Sequence, residues 1–195
     1  RGIRRFDEQE RERFLAGDEL GSFLTALEEE QSENFRDFVK LALFTGARRS
    51  NVATMRWADL DLNKAVWVIP ADEFKNRKPC TIPLTAPALD VLNRRLSTAG
   101  DSPYVLPGAK DGHYAGPQQR PWRRLLKRAG LNNVRIHDLR RTLGSWQAAG
   151  GASLAIIGKS LGHRSTAATK IYARLDLAPV RAAVDAAVLA MVATV

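Results

Sequence analysis

Residues 137–172 read HDLRRTLGSWQAAGGASLAIIGKSLGHRSTAATKIY, and their spacing governs how the rest of the chain is read. His137 and Arg140 stand three apart, so a helix starting there turns both onto one face, within reach of one anion. Leu161-Gly162-His163 follows, and Tyr172 comes nine residues after His163. Arginine suits phosphate because its planar fork matches two oxygens, histidine adds a donor, and a tyrosine hydroxyl can act as a nucleophile. The combination suggests phosphoryl transfer by a covalent route. No metal-ligand set accompanies these residues, and no cofactor is expected. Taken singly, His163 reads as a satisfied core or loop-capping histidine and Tyr172 as a half-buried aromatic. Their joint spacing reverses both readings.

Upstream, Phe44-Thr45-Gly46-Ala47-Arg48 supplies a second arginine motif, T-G-x-R, and Phe74-Lys75-Asn76-Arg77-Lys78 precedes Thr81-Ile82-Pro83-Leu84. With H-x-x-R, L-G-H and the tyrosine behind them, the chain resembles the tyrosine recombinase (phage integrase) family in its C-terminal catalytic domain. The motifs stand in family order and the resemblance covers nearly the whole chain. It implies that Tyr172 attacks a DNA phosphate to leave a 3′-phosphotyrosyl link and a free 5′-hydroxyl, without metal or ATP. By the same resemblance Arg48 and Arg140 hold the non-bridging oxygens, His163 donates a hydrogen bond and His137 assists proton movement from the tyrosine. Lys75 protonates the leaving oxygen, with Lys78 as the alternative if the hairpin register slips. Position 51 is usually acidic in the family but is Asn51 here, which removes a carboxylate and leaves an amide. Two rivals are a type IB topoisomerase, separable by a relaxation assay, and a catalytically silent DNA-binding module, separable by nicking activity.

The formal net charge is +9, and its distribution is uneven. Residues 1–60 carry −2, residues 61–135 carry +7 and residues 136–195 carry +4. From Gly112 to His137 there are six Lys or Arg and no acid, the footprint of a polyanion partner. Arg77, Lys78, Arg123, Arg124, Lys127, Arg128 and Arg141 are the candidate DNA contacts. A solvated charged face explains each of the helix cations equally well when taken alone. Double-stranded DNA is the expected partner; the family implies a tetramer during synapsis and a monomer when free. The single cysteine, Cys80, permits no internal disulfide, and no apolar run of membrane-spanning length occurs. The expectation is a protein of the bacterial cytoplasm, or phage-encoded, with no membrane association.

At 195 residues one domain is expected. The chain opens at Arg1 and reads as a piece of a longer protein, with residues 1–17 as linker from a missing N-terminal DNA-binding domain and a short helix within Asp7–Leu15. The catalytic domain takes 18–177. Apolar spacing predicts helices from an Asp18 cap to about Glu30, over Glu33–Thr45 ending at Gly46, from Ser50 to about Trp57, and over Pro87–Ser97 with Ala88, Leu89, Leu92 and Leu96 inward. Further helices are expected over Pro121–Gly130, His137–Ala149 and Ser153–Ser160, the last packing Leu154, Ile156 and Ile157, and from a Ser165 cap through Tyr172 with Ala168 and Ile171 packed. Short strands are expected at Asp59–Leu62, Ala65–Ile69, Cys80–Leu84 and Tyr104–Leu106. The result is a mainly α domain with a small three-stranded antiparallel sheet. An Ala/Val-rich helix over 178–193 has too few charges for water on every side, so it closes the core in cis or docks on a partner subunit in trans.

Overall fold

The computed structural model describes residues 12–71, 79–108, 112–114, 116, 119–163, 166–174 and 178–192. Residues 1–11, Ser165 and the expected hairpin residues Lys75, Arg77 and Lys78 lie outside the described residues.

Helix α1 spans Gly17–Glu28 and starts one residue before the expected Asp18 cap. Glu19 sets that start, because its carboxylate accepts from the Ala16 N–H at 3.3 Å and is itself held by Arg13. Helix α2, Glu33–Thr45, begins where the Ser32 hydroxyl accepts from the Phe35 N–H and ends at Gly46 in the left-handed conformation, φ 60°. Helix α3 is only Arg49–Ala53, shorter than the expected run to Trp57, and a 3₁₀ turn over Trp57–Asp59 follows. Strands β1 (Leu60–Asp61), β2 (Val66–Ile69) and β3 (Cys80–Pro83) form an antiparallel sheet in the order β1-β2-β3, with Trp67 opposite Ile82. Tyr104–Leu106 does not form a strand; Tyr104 makes only an isolated bridge to Arg56.

Helix α4, Ala86–Leu96, buries Ala88, Val91, Leu92 and Arg95, whereas Leu96, expected inward, is 50% exposed. The inward position belongs to Arg95, which donates to Asp37 (2.6 Å), Asn34 (2.7 Å) and the Val105 carbonyl (3.1 Å). A buried carboxylate at Asp37 outranks one leucine's apolar gain, since an unpaired buried charge costs several kcal/mol. Helix α5 (Gln119–Arg128) buries Trp122 and Leu125 against α1, helped by an edge-on contact of Trp122 with Phe23.

Helix α6, Ile136–Ala149, starts where Asp138 accepts from the Arg135 N–H at 2.8 Å. It bridges two apolar clusters. Leu139 belongs to the large core of α1, α2, α4, α5 and the sheet, and Leu143 and Ala148 belong to a small one centred on Ile157, Leu161 and Tyr172. Helix α7 is Leu154–Ser160; Ile157 is its buried residue, while Leu154 and Ile156, expected to pack, are exposed because so short a helix buries one side and leaves the other to solvent. Tyr172 rides on a 3₁₀ helix, Thr166–Arg174, in place of the expected α-helix, and there Ala168 is exposed and Thr169 buried. Helix α8 is Ala178–Val192. The last residues of the expected linker are held in place: Leu15 is fully buried, its N–H donates to Thr142 at 2.9 Å and its carbonyl accepts from the Trp146 indole at 3.0 Å.

Candidate active site

Gly46 explains why the T-G-x-R turn must contain glycine. Its φ of 60° disfavours any side chain, and a Cβ there would lie 2.6 Å from the Leu161 side chain and 2.9 Å from that of Leu143. The carbonyl of Gly46 accepts from Arg140 Nη1 at 2.5 Å, and Nη2 of the same guanidinium donates to the carbonyl of Leu161. One side chain on α6 therefore ties together the turn that carries Arg48 and the turn that carries His163. Arg140 is only 7% exposed. Burial first, then the charge of Arg48, lowers its pKa to about 10, which leaves it protonated at neutral pH. Two of its five N–H donors serve the carbonyls, and three remain for a ligand.

Arg48 is the residue immediately ahead of α3, half-buried, and its charge acts on Arg140, His137 and His163. His163 follows Gly162, whose φ is 61°, and its N–H donates to the Gly158 carbonyl at 2.8 Å. Burial is the main cause that lowers the His163 pKa to about 4, followed by the charges of Arg140, Arg48 and His137. His137, at the start of α6, lies at the surface, yet lost solvation of its ring lowers its pKa, followed by the charges of Arg141 and Arg140. Both imidazoles are thus held toward the neutral form.

Tyr172 is 4% exposed and its ring lies parallel to that of His163, centroids 6.4 Å apart and planes 7° apart. It rests directly on α6: a Cβ added at Gly144 would lie 2.4 Å from Tyr172 Cζ and 2.8 Å from its hydroxyl. Burial raises the phenol pKa, and the charges of Arg140 and Arg141 oppose that rise. Arg48, His137, Arg140, His163 and Tyr172 are therefore brought to one place.

The candidate DNA contacts divide. Arg141 pairs with Asp138 at 2.8 Å on its own helix. Arg124 pairs with the buried Glu30, just past the end of α1, at 3.1 Å, and Arg128 donates to the Ala26 carbonyl of α1 at 2.8 Å. Arg123 and Lys127 instead line an open cleft of about 410 Å³ with Asn132 and Asn133. Asn51 is buried on α3, where the Ser50 hydroxyl donates to its Oδ1 at 3.4 Å.

Three features of the site escaped the sequence reading. Cys80, at the head of β3, has its thiol pKa raised by burial, against the charges of Arg140 and Arg48, which stand far from it in sequence. Gly144 lies inside α6, and its lack of a side chain matters only once the Tyr172 ring packs on it. Thr169 is buried with its Oγ1 2.9 Å from Nδ1 of His163; its place three residues before Tyr172 was a signal available in the sequence. Among the described residues no group of three or more His, Cys, Asp or Glu is arranged to hold a metal ion. No helix among them is long and apolar enough to cross a membrane.

Known proteins are similar to this chain in sequence and in fold. The chain is 30% identical over 163 residues to the integrase of Salmonella phage P22, covering 75% of this chain and 41% of that protein. It is 29% identical over 158 residues to tyrosine recombinase XerC of Xanthomonas axonopodis pv. citri (strain 306), covering 78% of this chain and 51% of that one. The chain thus spans about half or less of the length of these curated relatives. Among solved structures, the Tn1549 transposon integrase in complex with circular intermediate DNA has the same fold, with a TM-score of 0.75 and 19% identity over 92% of this chain and 68% of that one. The catalytic domain of bacteriophage HP1 integrase follows it at a TM-score of 0.65 and 20% identity over 88% of this chain and 93% of that one. The profile of the phage integrase family matches residues 13–178, from just ahead of the docked Leu15 to the first residue of α8, and the chain belongs to that family.

Proposed function

We propose that this chain is the catalytic part of a site-specific DNA recombinase that cleaves and rejoins double-stranded DNA through a 3′-phosphotyrosyl intermediate. The observation that carries the reading is the buried Arg140 guanidinium. By binding the carbonyls of Gly46 and Leu161 at once, it joins the turn that leads to Arg48 and the turn that leads to His163, whose ring lies parallel to that of Tyr172. Two guanidiniums and an imidazole converging on a site with a tyrosine hydroxyl suit a phosphodiester more than a carboxylate or a neutral ligand.

The Tyr172 oxygen attacks the scissile phosphorus, the P–O5′ bond breaks, and the 3′-phosphate stays on the protein. Arg48 and Arg140 stabilise the extra charge on the non-bridging oxygens, and His163 donates a further hydrogen bond. Because burial raises its pKa, Tyr172 is protonated at neutral pH and needs a base. His137, kept neutral by lost solvation and the neighbouring arginines, is suited to receive that proton. Lys75 delivers a proton to the departing 5′-oxygen. Bond energy is conserved in the phosphotyrosine, so the rejoining step needs neither ATP nor metal.

Arg123 and Lys127, which line the cleft at the end of α5, are the helix cations best supported as phosphate contacts. The exposed apolar side chains of α8, among them Val184, Val188 and Leu189, support assembly with further copies on DNA, a tetramer at synapsis from monomers in solution.

The test uses a pool of duplexes nicked beside a randomised core, so that cleavage releases a short fragment and traps the adduct. A covalent protein–DNA adduct should form, map to Tyr172, and vanish in Tyr172→Phe. An adduct that persists in Tyr172→Phe, or that maps to Tyr104 or Tyr114, overturns the assignment.

A further inference from the structure

Thr169 is a threonine in a polar stretch, yet it is 2% exposed. Its Oγ1 lies 2.9 Å from Nδ1 of His163. Gly158 of α7 backs it so closely that a Cβ there would come within 3.1 Å of Oγ1. A hydroxyl buried in this way has little access to water, so its bond to the imidazole is its principal polar commitment. With Nδ1 occupied, only Nε2 of His163 is left to meet a substrate.

The direction of that bond decides what the histidine can do. If the threonine hydroxyl donates, the neutral ring carries its proton on Nε2 and can donate to a phosphate oxygen. If it accepts, Nε2 presents a lone pair and repels the same oxygen. A hydroxyl can rotate to either role, so the ring's task selects between them. Low solvation and the charges of Arg140 and Arg48 hold the ring toward neutral, which makes the tautomer matter more than the charge. Thr169 also lies three residues from Tyr172 on a 3₁₀ helix, where each turn takes three residues, so the two share a face. The bond that orients His163 thereby tethers the strip carrying the tyrosine, and the parallel stacking of the His163 and Tyr172 rings fits that tether.

We propose that Thr169 is a positioning residue whose hydroxyl donates to Nδ1 of His163, holding the imidazole in the Nε2–H tautomer and fixing the ring plane against which Tyr172 stacks. The inference rests on the reading of His163 as a phosphate donor. It extends that reading to a residue outside the motif.

Two measurements test it on the full 195-residue chain. The first is nitrogen NMR of ¹⁵N-histidine-labelled protein at neutral pH without DNA, with the His163 signal identified by its loss in His163→Gln. The wild type should show the Nε2–H pattern, Thr169→Val should move both nitrogens toward a tautomeric mixture, and Thr169→Ser should restore the pattern. The second is single-turnover cleavage of the nicked duplexes at saturating protein. Thr169→Val should slow cleavage about tenfold, less than the loss of a whole oxyanion donor, with DNA affinity unchanged and Thr169→Ser recovering most of the rate. In a His163→Gln background Thr169→Val should add no further loss. An Nδ1–H pattern in the wild type, or an equal loss in the His163→Gln background, overturns the proposal. Should the wild type form no adduct at all, the catalytic reading fails, and the tautomer pattern still decides whether Thr169 orients His163.

Discussion

Arg140 shows how much of a fold one buried side chain can tie together. Its fork satisfies two backbone carbonyls that belong to turns far apart in sequence. His163 beside it is held neutral against its usual pKa, and this has a consequence for stability. The folded pKa, about 4, lies below the unfolded value near 6.5. Between those values the unfolded chain binds more protons, so stability is greatest above about 6.5 and falls as pH drops toward about 4. His137 is shifted in the same direction and contributes to the slope. Urea midpoints across this range should fall with acid, and His163→Gln should flatten the fall in part; an unchanged slope in His163→Gln would sink this account.

Among the elements, the 3₁₀ helix and α6 make a tight pair because Gly144 leaves room for the Tyr172 ring. Gly144→Ala puts a methyl group where Tyr172 Cζ lies, and overpacking of this kind costs about 1–3 kcal/mol. In a Tyr172→Ala background the same change should cost under about 0.5 kcal/mol, because the clashing atoms are gone. Equal costs in the two backgrounds, measured by urea unfolding, would mean that the ring does not rest on Gly144. Helices α2 and α4 are joined by a different device, the fully buried Asp37 gripped by Arg94 and Arg95. Asp37→Ala strands a buried guanidinium and should cost about 3–5 kcal/mol in unfolding free energy. A loss below about 1 kcal/mol, typical of exposed pairs, would show the cluster to be solvated in solution.

For the whole molecule, α6 is the member on which two apolar clusters meet, and the site lies along that seam. The large cluster holds Ala47 of the T-G-x-R turn, and the small one holds Tyr172 and Leu161 beside His163, so the site draws on both. Helix α8 touches α6, and among its described side chains Leu189 is 70% exposed and Val184, Val188, Met191 and Val192 are at least half exposed. This exposed apolar side of the helix adds little to folding and is area open to a partner. Deleting residues 178–195 should leave the urea midpoint essentially unchanged and weaken self-association on DNA, read by sedimentation and by covalent cleavage of paired sites. Global unfolding of the truncated chain would place α8 in the core.

Much of this was legible in the chain itself. The spacing of His137, Arg140, His163 and Tyr172, with Arg48 upstream, named the residues that the fold gathers, because each sits in a short motif whose geometry is local: a helix start, a left-handed glycine, a turn. The helices followed from apolar periodicity and the sheet from alternation broken by turns, since those signals are carried by neighbours in sequence. Other features depended on residues that meet only when distant elements pack. Arg95 displaced Leu96 from the interior because Asp37, on another helix, needed a partner. Arg128 and Arg124 were drawn to α1 by its carbonyl and by buried Glu30, whereas Arg123 and Lys127 were not. Thr169 and Gly144 gained their meaning from Nδ1 of His163 and the ring of Tyr172, contacts that no one-dimensional pattern encodes. Sequence by itself determined which groups the fold gathers; tertiary structure decided which cations pair with α1 and its end, which hydroxyl meets Nδ1 of His163 and where Tyr172 rests, because burial and pairing are properties of the packed chain.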